Sequence, residues 1–299
     1  MATGKFFTDL KSQFRNGSIA TQLLYINIGV FVLVTVVNIA LILFRLPANA
    51  WSACLELPSS LSRFIRQPWS IITYMFMHAG LLHLVFNMLW LYWFGKLFLL
   101  FFSGKHLRGI YILGGICGGL FYILAYNVFP YFEDVVGFSS LVGASASVLA
   151  IVFAVGTSHP DYEVGFMFIG RVKLKYVTIG VFLLDLLLIT SGNSGGHIAH
   201  IGGALSGWWF ATSLGKGRDV TSWINNIIDL LTGGVKLRRK KKKPKMKVHY
   251  GDKQDDFEYN ARKKQRSDEI DRILDKLRQS GYGSLTDDEK KSLFDASKK

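Results

Sequence analysis

Long stretches without charged residues dominate the hydrophobic pattern of this chain. They cover residues 19–44, 109–132, 135–158 and 186–215, and the last of them contains two histidines. A helix needs about 20 apolar residues to cross about 30 Å of hydrocarbon. Because the stretches reach that length, they predict an all-α membrane protein that crosses the bilayer several times.

The same pattern predicts six membrane-crossing helices, numbered here as spans 1 to 6. Their approximate bounds are 19–44, 80–101, 108–128, 144–158, 174–191 and 197–215. Span 4 is short for a full crossing. It can be short if its first residues lie below the membrane surface, inside protein.

Basic residues predict the direction of the spans, since Lys and Arg concentrate on the cytoplasmic side. They occur in the N-terminal segment, in the connections between spans 2 and 3 and between spans 4 and 5, and after span 6. The segment 45–79 carries three arginines on the opposite side and is the exception. Both termini are therefore predicted to be cytoplasmic. We interpret 45–79 as short helices at the outer leaflet.

Four parts follow from this pattern. They are a cytoplasmic N-terminal segment (1–18), a membrane domain (19–215), an interfacial helix with a polybasic linker (216–251) and a cytoplasmic helical hairpin (252–299). The first part lacks the apolar core of a cleavable signal peptide, so span 1 is expected to act as a signal anchor. The two cysteines match neither a disulfide framework nor a metal site, and no metal or cofactor is expected.

The net charge of +14 lies largely after residue 215. Residues 219–231 predict a helix on the cytoplasmic leaflet, with one apolar face made of Trp223, Ile224, Ile227, Ile228 and Leu231. The run KLRRKKKKPKMK follows. Beside a membrane helix, its expected partner is anionic lipid headgroups rather than nucleic acid.

The last part is expected to be a small hairpin of two helices whose partner the sequence does not identify. Residues 252–265 are polar and predicted to be flexible. A helix at about 267–279 should end near Gly281. Thr286, with Glu289 three residues later, forms a capping box that predicts the start of a second helix.

Polar residues inside the spans are the candidates for chemistry, because such groups are costly in a membrane. In span 2, His83 and Asn87 are four residues apart and share one helix face. His78 is expected to point toward the surface.

A stripe of small residues runs along span 6 next to a histidine. His200, Gly203 and Gly207 lie on one face, and the two glycines allow another helix to approach closely. The expected partner is the start of span 4, with Ala146 and Ala150. That contact would bring the His200 ring beside Ser145.

Two serines, Ser145 and Ser147, lie in the apolar stretch LVGASASVLA. Either could be a small packing residue. Gly143 permits an unusual backbone turn, and a helix starting about there would place Ser145 among free N–H groups that could stabilise an oxyanion. Composition and topology alone leave a Ser–His hydrolase and a transporter or channel open.

Three motifs, in order, resemble those of the rhomboid intramembrane serine proteases over roughly residues 19–215. They are WSIITYMFMHAGLLHLVFNMLWLYWFG, which contains His83 and Asn87, then GASAS, and then AHIGGALSG, which makes His200 the base rather than His197. Beside the small cytoplasmic helical tail already predicted, the resemblance implies a six-helix rhomboid-like bundle. It also implies a bacterial cell membrane, with the inner membrane as the expected location.

The resemblance further implies an endopeptidase that cleaves transmembrane segments of other membrane proteins with a Ser–His dyad. Ser145 would attack the carbonyl and His200 would accept its proton, while His83, Asn87 and the Ser145 N–H would hold the oxyanion. The motif glycines are expected to support this site: Gly143, Gly203 and Gly207. The alternative is a catalytically silent relative that binds transmembrane helices as a chaperone or adaptor.

This sequence departs from the family pattern at three positions. Trp69 is followed by Ser70, where the family often has an arginine. Ala146 follows the nucleophile where a second glycine is common, and Leu149 stands where an aromatic ring often stacks on the histidine. Asp185, inside span 5, has two interpretations. It could orient a histidine as a third catalytic member, or it could be a hydrogen-bonded carboxyl that links helices. The second interpretation is favoured.

Overall fold

The structure is a computed structural model that describes residues 11–166, 170–232 and 253–297. It divides into two compact units, Met1–Lys236 and Leu237–Lys299. Each unit is described by itself.

Ten α-helices of the first unit lie between Ile19 and Leu231. They are α1 (Ile19–Leu43), α2 (Ala48–Ser52), α3 (Leu61–Arg66), α4 (Ser70–Thr73), α5 (Leu81–Phe101), α6 (Gly104–Val128), α7 (Ser145–Ser158), α8 (Leu174–Leu187), α9 (Ser194–Leu214) and α10 (Ser222–Leu231). Helices α1 and α5 to α9 coincide with the six predicted spans. Helix α6 begins four residues earlier than predicted, because the Ser103 hydroxyl caps it by accepting from the His106 N–H.

Three of these helices, α1, α5 and α6, are long and apolar enough to cross a membrane. Helix α7 is a shorter apolar helix. The chain is therefore a mainly helical membrane protein. The complete crossings predicted for α7, α8 and α9, and the cytoplasmic position of both termini, stay predictions.

The segment before α5 contains the expected short helices, but it is not confined to a surface. Strand β1 (Leu57–Pro58) pairs antiparallel with β2 (Ser140–Leu141), which lies just before α7. The 3₁₀ turn Tyr74–Phe76 carries Tyr74 and Met75 into the core, where they are 1% and 0% exposed. The Tyr74 hydroxyl donates to the Gly115 carbonyl at 2.6 Å, so α6 holds this turn inside the bundle.

A second strand pair, which the hydrophobic pattern did not indicate, connects α7 to α8. Strand β3 (Glu163–Phe166) pairs antiparallel with β4 (Gly170–Lys173). Nearby, the Lys175 ammonium lies 2.7 Å from Asp161 Oδ1, and Lys173 lies 3.5 Å from the same oxygen. These two lysines, Lys175 above all, hold the pKa of Asp161 below its usual value.

The centre of the bundle is formed where α6, α7 and α9 approach one another through small residues. A Cβ added at Gly203 would collide with the Ala146 carbonyl, and one at Gly207 would collide with that of Ala150. This confirms the predicted contact between span 6 and the start of span 4. Gly118 of α6 completes the centre, since a Cβ there would lie 2.5 Å from that of Ala146.

The starts of α1 and α6 contact each other at one end of the bundle, where α6 also contacts α10. A Cβ at Gly104 would lie 3.0 Å from Ile19, and Arg108 donates to Asn225 at 3.0 Å and to Asp229 at 2.7 Å. Hydrogen bonds from Lys105 and Arg108 hold the pKa of Asp229 below its usual value. Three segments predicted to share the cytoplasmic side are therefore connected by contacts in the fold: the start of span 1, the connection between spans 2 and 3, and the helix after span 6.

Helix α10 differs from the predicted single membrane face. Ile224 is buried against the bundle, whereas the exposed apolar residues of the helix are Trp223, Ile227, Leu230 and Leu231. The exposed set still gives the helix an apolar outer face. The polybasic run that follows lies outside the described residues.

The second unit is a pair of helices, α11 (Lys253–Ser280) and α12 (Asp287–Ser297). Helix α11 starts well before residue 267, so the prediction of a flexible 252–265 segment was wrong from Lys253 onward. Gly281, with φ of +75°, follows α11 as predicted. The capping box is confirmed: the Thr286 N–H donates to Glu289 at 2.8 Å, and the Glu289 N–H donates to Thr286 at 3.3 Å.

Candidate active site

One cavity of about 410 Å³ collects the residues that the sequence singled out. Helix α5 contributes His83 and Asn87, α7 contributes Ser145, and α9 contributes His200. The remaining wall is mainly apolar and includes Trp90, Val148, Val181 and Leu184. Polar groups from three helices therefore converge in a largely apolar cavity, which is the usual composition of a binding or catalytic site.

Ser145 is the first residue of α7, and the backbone just before it is unusual. Gly143 has φ of +130°, a conformation that disfavours any side chain, and its N–H donates to the Tyr74 carbonyl at 3.0 Å. The first hydrogen bond of the α7 ladder runs from the Val148 N–H to the Ala144 carbonyl. The N–H groups of residues 145–147 precede that ladder, so the positive end of the helix lies at the serine.

Gly143 also makes room for a histidine. A Cβ at this glycine would lie 2.8 Å from Cε1 and 3.0 Å from Nε2 of His83, and 3.7 Å from the Ser145 hydroxyl oxygen. The Ala79 N–H donates to His83 Nδ1 at 3.4 Å, which leaves the proton of the neutral ring on Nε2. A donor N–H therefore lies beside Ser145.

Asn87 lies one turn beyond His83 and is almost fully buried on the cavity wall. Its side-chain amide donates to the His83 carbonyl at 2.9 Å. That bond uses one of the two amide protons and fixes the orientation of the side chain. The second amide proton is left for a group in the cavity.

His200 is held by a carboxylate that sequence reasoning assigned mainly to packing. His200 Nδ1 lies 2.8 Å from Asp185 Oδ1, and His197 Nδ1 lies 2.8 Å from the same oxygen. Asp185 does link α8 to α9, as favoured, but the link includes the candidate base itself. The signal was present in the sequence: one acid in an apolar helix, and two histidines three residues apart on another.

The bond to Asp185 sets the protonation pattern of the His200 ring. In the neutral ring, the proton lies on Nδ1 and points to the carboxylate, so Nε2 is an acceptor. Ser145 and His200 line the same cavity, and no hydrogen bond joins them among the described residues. Contacts of this kind are often long before a substrate binds.

Two other expectations can be compared with the structure. Ser147 is 1% exposed, does not line the cavity, and its hydroxyl has no hydrogen-bond partner among the described residues. It is therefore the packing serine of the pair. The prediction that His78 points to the surface was wrong: both ring nitrogens are buried, and the ring packs edge-on against His83 at 5.3 Å. Burial lowers the pKa of His78 to about 4.

The fold and the cavity together define a helical membrane protein with a serine, histidines and an amide gathered at one helix start. A model of the rhomboid domain matches residues 65–217, and this chain belongs to the rhomboid family. A separate model, described as a family of unknown function (DUF6576), matches residues 254–299, which contain the helical pair of the second unit.

Two proteins of Arabidopsis thaliana are similar to this chain. "RHOMBOID-like protein 12, mitochondrial" is 31% identical over 147 residues, which are 45% of this chain and 43% of that protein. "RHOMBOID-like protein 7" is 26% identical over 180 residues, which are 57% of this chain and 50% of that protein. The chain thus spans about half the length of these curated relatives. Neither bears out a bacterial origin, which stays a prediction.

Proposed function

We propose that this protein is an intramembrane serine endopeptidase that cleaves transmembrane segments of other membrane proteins. The observation that carries the proposal is the single cavity that contains Ser145, His200 and His83. A nucleophile, an acceptor nitrogen and an N–H donor are the groups that acyl transfer requires.

In the proposed reaction, the Ser145 hydroxyl attacks the scissile carbonyl carbon and gives its proton to Nε2 of His200. The resulting imidazolium is stabilised by Asp185, which accepts from Nδ1. The carbonyl oxygen becomes an oxyanion near the Nε2–H of His83, the second amide proton of Asn87 and the N–H groups at the start of α7. His200 then protonates the leaving amine, and water hydrolyses the acyl-enzyme with the same base.

The substrate must expose a carbonyl to Ser145. A regular helix keeps its carbonyls in i to i−4 hydrogen bonds, so the segment that is cut has to unwind locally. The apolar walls contributed by α5 and α8 suit such a segment, because they can contact its side chains once it leaves the lipid.

A fluorophosphonate probe tests the chemistry directly, since it reacts covalently with an activated serine. The detergent-solubilised full chain should be labelled, whereas Ser145→Ala and His200→Ala should not. Ser147→Ala is the matched control: it removes a hydroxyl two residues away on the same helix and should keep the label. Labelling that survives Ser145→Ala would overturn the assignment of the nucleophile.

The catalytically silent alternative makes a different prediction in the same experiment. A relative that only binds transmembrane helices would fail to label while still capturing a transmembrane segment in lipid vesicles. Cleavage of a reconstituted transmembrane segment by the wild type, absent in Ser145→Ala, would exclude it.

We further infer that the six helices α1 and α5 to α9 all cross the bilayer, with both termini in the cytoplasm of the cell that makes the protein. Contacts between Arg108 and α10 support the common side of these segments. The exposed apolar residues of α10 and the polybasic run that follows suit anionic lipid headgroups. Vesicle binding should therefore rise with anionic lipid content and fall with added salt.

A further inference from the structure

One imidazole at the cavity is not used by the proposed reaction. Proton transfer from Ser145 requires only His200, and orientation of His200 requires only Asp185. His197 nevertheless directs Nδ1 at the same carboxylate oxygen, at 2.8 Å. The side chains of Asp185, His197 and His200 are 8%, 15% and 19% exposed, and all three line the cavity.

The three side chains present one metal-ligand atom each in a small volume. Nδ1 of His197 and Nδ1 of His200 each lie 2.8 Å from Asp185 Oδ1, and one ligand atom from each of the three residues lies within 4.8 Å of the other two. His197 and His200 are three residues apart on one face of α9, and Asp185 faces them from α8. Two imidazoles and one carboxylate are a common ligand set for transition metals, with further positions left for water.

We propose that Asp185, His197 and His200 form a binding site for a divalent transition-metal ion, zinc(II) above all, and that the bound ion switches off the serine chemistry. Tetrahedral zinc with bonds of about 2.1 Å separates its ligands by about 3.4 Å. The present nitrogen-to-oxygen separations of 2.8 Å would have to lengthen by about 0.6 Å, which small side-chain rotations supply.

A bound metal ion and catalysis are mutually exclusive, because the metal changes which nitrogen of His200 carries the proton. When the metal binds Nδ1, the neutral ring moves its proton from Nδ1 to Nε2, with no net release. Nε2 is then a donor and cannot accept the proton of Ser145. The ion also binds the carboxylate of Asp185. His200 therefore loses the free lone pair on Nε2 and the hydrogen bond to Asp185 that orients its ring.

Metal binding can be measured without any protease activity, on the full chain carrying Ser145→Ala. Calorimetry should show one saturable zinc site, and cobalt(II) should give visible absorption of a low-symmetry site. Adding His197→Asn or Asp185→Asn should weaken zinc binding at least about tenfold. His159→Asn, an imidazole at the far end of α7, is the control and should leave the affinity unchanged. Absence of saturable binding, or equal affinity in all four variants, would overturn the proposal.

The regulatory part rests on the proposed function and has its own readout. Zinc should slow fluorophosphonate labelling of the wild type, and a chelator should restore it, whereas magnesium should have no effect because it prefers oxygen ligands. For His197→Asn, with each rate divided by its own metal-free rate, half-inhibition should need at least about ten times more zinc. Unchanged zinc sensitivity in His197→Asn would overturn the inhibition while leaving the serine assignment standing.

Discussion

Helices α7 and α8 are equally long, 14 residues each, yet the bundle holds them in opposite ways. Ten residues of α7 are buried, and its backbone touches α6 and α9 through glycines. Only Leu174, Thr178 and Asp185 are buried on α8. The helix that carries Ser145 is fixed by backbone contact, whereas the helix that carries Asp185 is held at few points, one of which is His200.

Asp185→Asn should have the largest effect of these variants on the labelling rate. It distinguishes a role of Asp185 in orienting His200 from a role in attaching α8 to α9. The amide can still link α8 to α9, but it no longer fixes the Nδ1–H tautomer of His200. We expect the labelling rate at neutral pH to fall by about 10³-fold, roughly 4 kcal/mol on the barrier. His197→Asn removes a bond to the same carboxylate without touching His200. A similar loss in both variants would mean that Asp185 acts through the position of α8 alone.

Gly203→Ala should produce the largest loss of stability. The added methyl group meets the Ala146 carbonyl, a backbone atom of α7 that cannot rotate away. We expect a cost of about 3 kcal/mol in the free energy of unfolding, measured by detergent titration in mixed micelles. Gly180→Ala is the matched control on α8, since nothing lies within 4 Å of the added methyl. That variant should be neutral or stabilised by up to about 1 kcal/mol.

Gly156→Ala probes the contact between α7 and α8 and should have a smaller effect. Its new methyl would meet the side chain of Thr178 rather than backbone. Because the threonine and the weakly held α8 can both shift, we expect a cost of about 1 kcal/mol in the same unfolding assay. A cost as large as that of Gly203→Ala would show that α8 is held as firmly as α7.

The smallest effect is expected from lowering the pH, which should weaken the structure just before and at the start of α8. The Lys175 ammonium lowers the pKa of Asp161 in the folded state, so the contribution of this pair is present above the unfolded value near 3.8 and is lost as the pH falls through the folded value. Amide exchange of residues 160–166 and 170–176 should accelerate at the lowest pH relative to α7, after correction for intrinsic rates. Asp161→Asn should abolish that difference, and its persistence would exclude this ion pair as the cause.

Hydrophobic length was enough to predict the six helices α1 and α5 to α9, because a long apolar run has few alternatives to a helix. The spacing of Gly203 and Gly207 also identified their partners, Ala146 and Ala150, since close helix contact has strong steric requirements. The capping box at Thr286 could be predicted because it involves only residues within one helical turn.

Other features could not be predicted, because they depend on contacts between residues that are far apart in the sequence. The inward turn of Tyr74 is held by the carbonyl of Gly115, 41 residues away. The rotation of α8 relative to α9 determines whether Asp185 meets a histidine or only another helix, and the uniform apolar pattern of α8 does not specify it. The burial of His78 could not be predicted from the sequence either, because it results from the path of the loop before α5.

The ring of His83 performs two tasks at once. Nδ1 receives the Ala79 N–H just before α5, and Nε2 lies beside Gly143 and the serine hydroxyl. The position of the first residues of α5 therefore determines the direction in which Nε2–H of His83 points. Tilting the start of α5 by a few degrees would change the direction of that N–H donor, so residues that never face the cavity can control where it points.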